Sequence, residues 1–189
     1  STPLYSSAAS DVYKRQELNN EKMKLSELVM ILNNIAGQNG VGRIDHMEDR
    51  AVGFKSREVY ECPAAVCLIE AHAELEKLIL NRHQLFFKEL VEKEWSWLVY
   101  AGLWADPLRK DLEAFIDSTQ KFVSGKVTLK LYKGSYRVVS RNSEYSNYDL
   151  NIATYSLKSI FDQKNAVGFI EYWGLPTVLS NLKGGARNE

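Results

Sequence analysis

Cysteine, histidine and long apolar runs are what this 189-residue chain has little of. Its two cysteines, Cys62 and Cys67, lie five apart in CPAAVC. Zinc knuckles use a two- to four-residue spacer together with a second ligand pair, and that second pair is missing here. The pair is read as two reduced thiols in a cytoplasmic protein. No apolar run approaches the roughly 20 residues that a membrane-spanning helix needs. Neither sign of charge is in excess, with 24 basic and 24 acidic residues. Such balance gives no general pull toward nucleic acid or an anionic membrane. The first residues, STPLYSSAASDVYKRQ, lack the apolar stretch of a secretory signal. SSAASDVYKRQ resembles translated adapter sequence, so residues 1–16 are set aside as non-native or as a disordered extension.

Among the three histidines, His46 sits near Asp45 and Glu48 in a way that imitates a metal cluster. His72, in EAHAELE, reads as a helix-packing residue, and His83 as a solvated first-turn residue. No metal ligand is assigned. No nucleophile–histidine–acid set stands out, so no catalytic residue is assigned either. The four tryptophans, Trp95, Trp97, Trp104 and Trp173, read as core and interface, since no basic patch accompanies them.

What is present suits one domain with its own core: 45% hydrophobic residues and 11% aromatic. Leu25 to Ala36 has apolar residues at spacings of three and four, which predicts an amphipathic helix. Ser26 is its candidate cap, and Gly37 or Gly40 its terminator. Strand character follows at Arg43 to Met47 and again near Ala51 to Phe54, with Gly53 marking a turn or bulge. Helices are predicted over Ala64 to Leu80 and His83 to Tyr100. The second should bury Phe86, Leu90, Val91, Trp95, Leu98 and Val99. A third starts at Asp106-Pro107, an N-cap followed by a proline that needs no donor there. Leu108, Leu112, Phe115, Ile116, Thr119 and Phe122 should give its inner face.

At Val127 the period changes to two, and Lys133-Gly134-Ser135 separates two alternating runs, which predicts a β-hairpin. Tyr145 to Lys158 leans to helix. Ala166 to Trp173 is apolar and should close the domain, with Leu179 packing back and residues 184–189 disordered. Helices and antiparallel strands in separate blocks make the expected fold class α+β.

The block from Gly40 to Pro63, GVGRIDHMEDRAVGFKSREVYECP, holds nine charged side chains, three glycines and a tyrosine. Mixed charge beside a phenol can recognise a zwitterion. A carboxylate accepts from an α-ammonium, an arginine fork holds a carboxylate or phosphate, and a phenol donates to either. The competing reading is a salt-bridge network that orders two strands. Spacing alone favours that second reading. The glycines follow a helix, whereas a phosphate loop lies between a strand and the helix after it.

GVGRID, then an acidic residue and an arginine, then GFKSR, then a Tyr-Glu pair before proline stand in the order and at the intervals of argininosuccinate synthases. The chain resembles the C-terminal synthetase domain of that family over about 17–183. The resemblance implies that Glu48 and Tyr60 contact citrulline, Glu48 accepting from its α-ammonium. Arg43, Arg50, Lys55 and Arg57 also match and are read as structural. Three positions depart from the family pattern: Glu58 stands where glycine is usual, and Cys62 and Ala65 flank the proline in place of threonine and glycine. These changes are expected to stiffen or displace the segment that carries Tyr60.

The resemblance further implies a ligase that joins citrulline to aspartate. ATP activates the ureido oxygen, aspartate's amino group displaces AMP, and pyrophosphate is released. ATP with magnesium and aspartate would be held mainly by an N-terminal domain whose SGGLDTS-type loop has no counterpart here. This chain would supply part of the citrulline site and of a homotetramer interface, and would not turn over ATP alone. The alternative is a standalone, non-catalytic binding or assembly domain of the same descent.

Overall fold

A computed structural model describes residues 3–7, 17–153, 162 and 164–185. Contacts divide the chain into two units, Ser1–Asn147 and Tyr148–Glu189.

The first unit is a sheet covered by helices. Strands β1 (Pro3–Ser7), β2 (Glu17–Leu18), β3 (Glu21–Lys22), β6 (Lys126–Tyr132) and β7 (Ser135–Asn142) form one antiparallel sheet in the order β3-β2-β1-β6-β7. Strand β1 therefore lies inside the segment that the sequence reading set aside. The two central residues of the β6–β7 turn, Lys133 and Gly134, both have positive φ, at 44° and 83°. That is the requirement of a two-residue turn whose twist matches its strands. The second strand consequently starts at Ser135, one residue earlier than its alternation suggests.

Helices α1 (Leu25–Gln38) and α2 (Pro63–Ile79) pack on each other, and α2 lies against β1, β6 and β7. Leu28, Leu32 and Ala36 from α1 meet Cys67, Ala71 and Leu75 from α2 and Val127, Leu129 and Leu131 from β6, all fully buried. Full burial of each large aliphatic side chain stabilises by about 1.5–3 kcal/mol before entropy is counted. Burial also pushes the Cys67 thiol up to about 11, which keeps it protonated. Ser26 does not cap α1: it lies inside the helix, and the cap position is Lys24, which offers no side-chain acceptor. Asn33 of α1 instead accepts from the Ala64 amide at 2.8 Å, so one helix satisfies a free donor at the start of the next.

Helix α3 (Arg82–Tyr100) begins with a reciprocal cap between Asn81 and Gln84 and pairs with α4 (Pro107–Gln120). Asp106 caps α4, accepting from the Leu108 amide at 2.8 Å. The inner face of α3 differs from expectation. Val91 and Leu98 are buried, but Phe86 and Leu90 are exposed and Lys88 takes an inward position. On α4 the buried residues are Thr119 and Gln120, while Leu108 and the following Phe122 are exposed. The expected helix at Tyr145 is absent over 145–153, which is turn and loop; residues 154–158 fall outside the described residues. Serine and asparagine side chains there bind the backbone of α2 and of the loop before β6 rather than permitting a helix. Ser143 donates to the Ser124 carbonyl at 2.6 Å, and Asn147 donates to that of Ile79.

In the second unit, α5 runs over Asn165–Gly185, through Pro176. Gly184 and Gly185 thus belong to a helix, and residues 186–189 lie outside the described residues. Val167, Phe169, Ile170, Tyr172, Trp173 and Leu179 are all exposed, so this apolar run does not bury itself as expected. No helix among the described residues is long and apolar enough to cross a membrane.

Candidate functional site

The charged block folds into a separate two-stranded ribbon, β4 (Arg43–Asp49) and β5 (Lys55–Glu61). The strand character expected at Ala51 to Phe54 is corrected: those residues form the turn. The Arg50 amide donates to the Phe54 carbonyl at 2.8 Å, and Gly53 has φ of 88°. Both ends of the ribbon are anchored. The Cys62 amide donates to the Gly42 carbonyl at 2.9 Å, which ties the exit to the entrance. A Cβ on Gly42 would lie 2.3 Å from Pro63 Cα, and its φ is 95°. Glycine is thus required here, both for close approach and for the left-handed backbone.

Register divides the ribbon's side chains between two faces, because successive residues alternate. Asp45 opposes Val59, Met47 opposes Arg57, and Asp49 opposes Lys55 on one face. Ile44 opposes Tyr60, His46 opposes Glu58, and Glu48 opposes Ser56 on the other. Ile44, Glu48, Ser56 and Glu58 are half-buried, whereas the first face is open to solvent.

On the open face the charges neutralise one another. Arg57 grips Asp45 with two nitrogens, at 2.8 and 2.5 Å, and Lys55 meets Asp49 at 2.6 Å. The hydrogen bond from Arg57 holds the Asp45 carboxyl below its ordinary value and raises the guanidinium. This is the ordering network of the competing reading, and it accounts for Asp45, Asp49, Lys55 and Arg57.

The half-buried face is different. Arg50 reaches diagonally to Glu58 at 3.0 Å. Their hydrogen bond lowers the Glu58 carboxyl and raises the Arg50 guanidinium. Glu48 has neither an arginine nor a lysine within ion-pair distance among the described residues. Its neighbours are His46 Nε2 at 3.4 Å and the Tyr60 hydroxyl, which donates to it at 3.5 Å. The His46 and Tyr60 rings meet edge to face with centroids 5.6 Å apart. Partial desolvation pushes the Tyr60 phenol above its ordinary value, and the charges of Glu48 and Glu58 push the same way, so it stays a hydrogen-bond donor. Tyr100, at the end of α3, donates to the Asp49 carbonyl at 3.5 Å beside this face.

A carboxylate without a fixed cation, next to a neutral phenol, can accept an ammonium and orient the group attached to it. The two residues singled out from the sequence, Glu48 and Tyr60, are therefore brought together across the strands. Arg43 and Glu61 oppose each other in register. Sequence reading missed the way Glu58 occupies Arg50. The signal was the two-residue step from Glu48 to Arg50 and from Ser56 to Glu58, which puts all four on one face once register is known. The apolar groove along α1 and α2, lined by Leu25, Leu68, Ile69, His72, Ala73, Glu76 and Glu92, encloses about 390 Å³ and lies apart from these residues.

Residues 15–180 match the family model described as Arginosuccinate synthase C-terminal domain. Argininosuccinate synthase from Pyrococcus furiosus is 60% identical over 163 residues, which is 86% of this chain and 40% of that protein. The enzyme from Listeria welshimeri is 56% identical over the same shares. That from Streptococcus agalactiae is 54% identical over 160 residues, 85% of this chain and 40% of its own length. The chain spans about two fifths of the length of these curated relatives.

Proposed function

The chain belongs to the argininosuccinate synthase family, whose C-terminal domain it carries, and we propose that it supplies the citrulline-contacting wall of that ligase. The parent enzyme would join citrulline and aspartate to argininosuccinate at the expense of ATP, releasing AMP and pyrophosphate. Glu48 accepts hydrogen bonds from the α-ammonium of citrulline, and Tyr60 hydrogen-bonds the same end of the substrate. The observation that supports this most is the isolation of Glu48. Among the described residues Asp45, Asp49 and Glu58 are each held by a lysine or arginine and Glu48 and Glu61 are not, and of these two it is Glu48 that receives the Tyr60 hydroxyl and lies beside His46.

The parent's ATP and magnesium are assigned elsewhere. The positive-φ glycines among the described residues sit after helix ends, at hairpin turns and, for Gly42, at the entrance to β4, and none opens a helix after a strand. Such a turn is what cradles phosphates. The residues here do not fit the nucleotide, and no step of its chemistry is drawn through them. Aspartate is likewise a substrate of the parent. Assembly as a homotetramer, a cytoplasmic location and a place in arginine synthesis or the urea cycle complete the proposal. The exposed apolar residues of α5 support association.

Calorimetric titration of citrulline into the chain, with Glu48→Ala alongside, tests the site. A hydrogen bond to a charged group is worth about 1.5–3 kcal/mol, so the variant should bind roughly 10- to 100-fold more weakly. Equal affinity for both sinks the assignment. If neither chain gives heat, the same comparison moves to the parent enzyme, where a citrulline KM unaffected by the substitution sinks it.

A further inference from the structure

We infer that Glu58 is a positioning residue: it holds the Arg50 guanidinium away from Glu48 and so keeps Glu48 open to a substrate ammonium. The inference rests on the reading of Glu48 given above.

Three features of the ribbon carry it. Glu48 and Arg50 are two apart on β4 and at its end, so their side chains leave the same face, where Arg50 also feels the Glu48 charge. Without another acceptor, the guanidinium would have a carboxylate one pleat away. Glu58 supplies that other acceptor. It opposes His46, diagonal to Glu48, and its Oε1 takes the Arg50 Nη2 at 3.0 Å. The long arginine side chain spans the intervening Glu48–Ser56 pair to reach it. The residue between them, opposite Glu48, is Ser56, small enough for the arginine to cross.

The consequence is a division of labour between two carboxylates on one face. Glu58 is spent on Arg50. Glu48 is left with the phenol of Tyr60 and the ring of His46, and Tyr100 of α3 donates to the Asp49 carbonyl beside them. An ammonium ligand then meets no resident cation that it must first displace. Removal of Glu58 should let Arg50 fold back on Glu48 and compete with the ligand. Competition from an exposed cation of this kind corresponds to about a fivefold loss of affinity at most.

The test uses the 189-residue chain, isotopically labelled, as wild type, Glu58→Ala, Glu58→Gln and the double variant Glu58→Ala with Arg50→Ala. In the wild type, nuclear Overhauser contacts from the Arg50 guanidinium should fall on the Glu58 methylenes. In Glu58→Ala they should move to Glu48, citrulline should bind about fivefold more weakly, and the double variant should recover the loss. That rescue separates competition from simple damage to the hairpin. Arg50 contacts that never reach Glu48 overturn the inference, and so does a double variant that binds no better than Glu58→Ala. If Glu58→Ala disrupts the cross-strand contacts of the ribbon, Glu58→Gln decides in the same way, with a smaller displacement expected. The Arg50 contacts are read without citrulline, so failure of the ammonium reading and failure of this inference give different results.

Discussion

Lys88 is the largest fully buried side chain among the described residues, and it is a cation. It is held by Glu76 at 2.9 Å and by Glu92, while Glu76 also meets His72 at 3.1 Å and Gln120 at 2.6 Å. These groups tie α2 to α3 and to the end of α4. Burial works to raise the Glu76 carboxyl, but hydrogen bonds from His72 and Lys88 prevail and hold it at about 2 against an ordinary 4.5. The folded-state value lies below the unfolded one. The contribution to stability is therefore fully present above pH 4.5 and is lost as pH falls toward 2. Glu76→Gln should flatten the fall of unfolding free energy across that window in urea titrations. A variant with the same acid profile as the wild type would show that the network does not titrate as a unit. Lys88→Ala leaves two carboxylates facing a void and should cost about 3 kcal/mol or more at neutral pH. The periodicity of α3 does not mark Lys88 as inward, because which stripe of the helix turns inward depends on α2 and α4.

The element that places the site is the ribbon β4–β5, and its aim is set at one end. Gly42 is buried against the start of α2 and carries a φ that other residues adopt only with strain. Gly42→Ala should destabilise by about 2 kcal/mol or more, combining backbone strain with a forced shift of Pro63. Because that shift re-aims the ribbon, the loss should appear both in thermal unfolding and in citrulline affinity. An unchanged melting temperature would mean that the junction relaxes freely. The opposite end of α2 leads into α3 through Asn81, whose side chain accepts from the amides of His83 and Gln84 at 3.0 Å each. Asn81→Ala should cost about 1 kcal/mol without altering binding, since the cap lies on α3 rather than on the ribbon. The ribbon itself was half legible. Its charges and glycines stood out, but the second strand was placed at Ala51 to Phe54 because those residues are apolar. The true strand, Lys55 to Glu61, is charged on both faces. A ribbon with one open face needs no apolar alternation, so periodicity had nothing to report.

At the scale of the molecule, the second unit is marked by the apolar side chains of α5. Phe169, Trp173 and Leu182 stay exposed along a 21-residue helix, and rings 169 and 173 stack at 5.4 Å. Exposed apolar residues in such a row favour association. Sedimentation should show the full chain self-associating and a chain ending at residue 164 doing so less. Identical sedimentation of both would remove α5 from the assembly.

The sequence by itself determined the family, the α+β class, helices α1 to α4 and the β6–β7 hairpin, and it singled out Glu48 and Tyr60 as the residues to watch. Those follow from local period, capping chemistry and a chain of short motifs, all of which are written along the backbone. Helix α5 was not foreseen as a helix, and the helix expected at Tyr145 is absent over 145–153. Tertiary structure decided which charges neutralise which. Asp45, Glu48, Asp49 and Glu58 are alike as residue types, and all four lie within one short block. Strand register sorts them between two faces and gives three of them a fixed cation, leaving Glu48, like Glu61 beyond them, without one among the described residues. Pairing across strands depends on which residues stand opposite, and no local pattern in this charged segment fixes that.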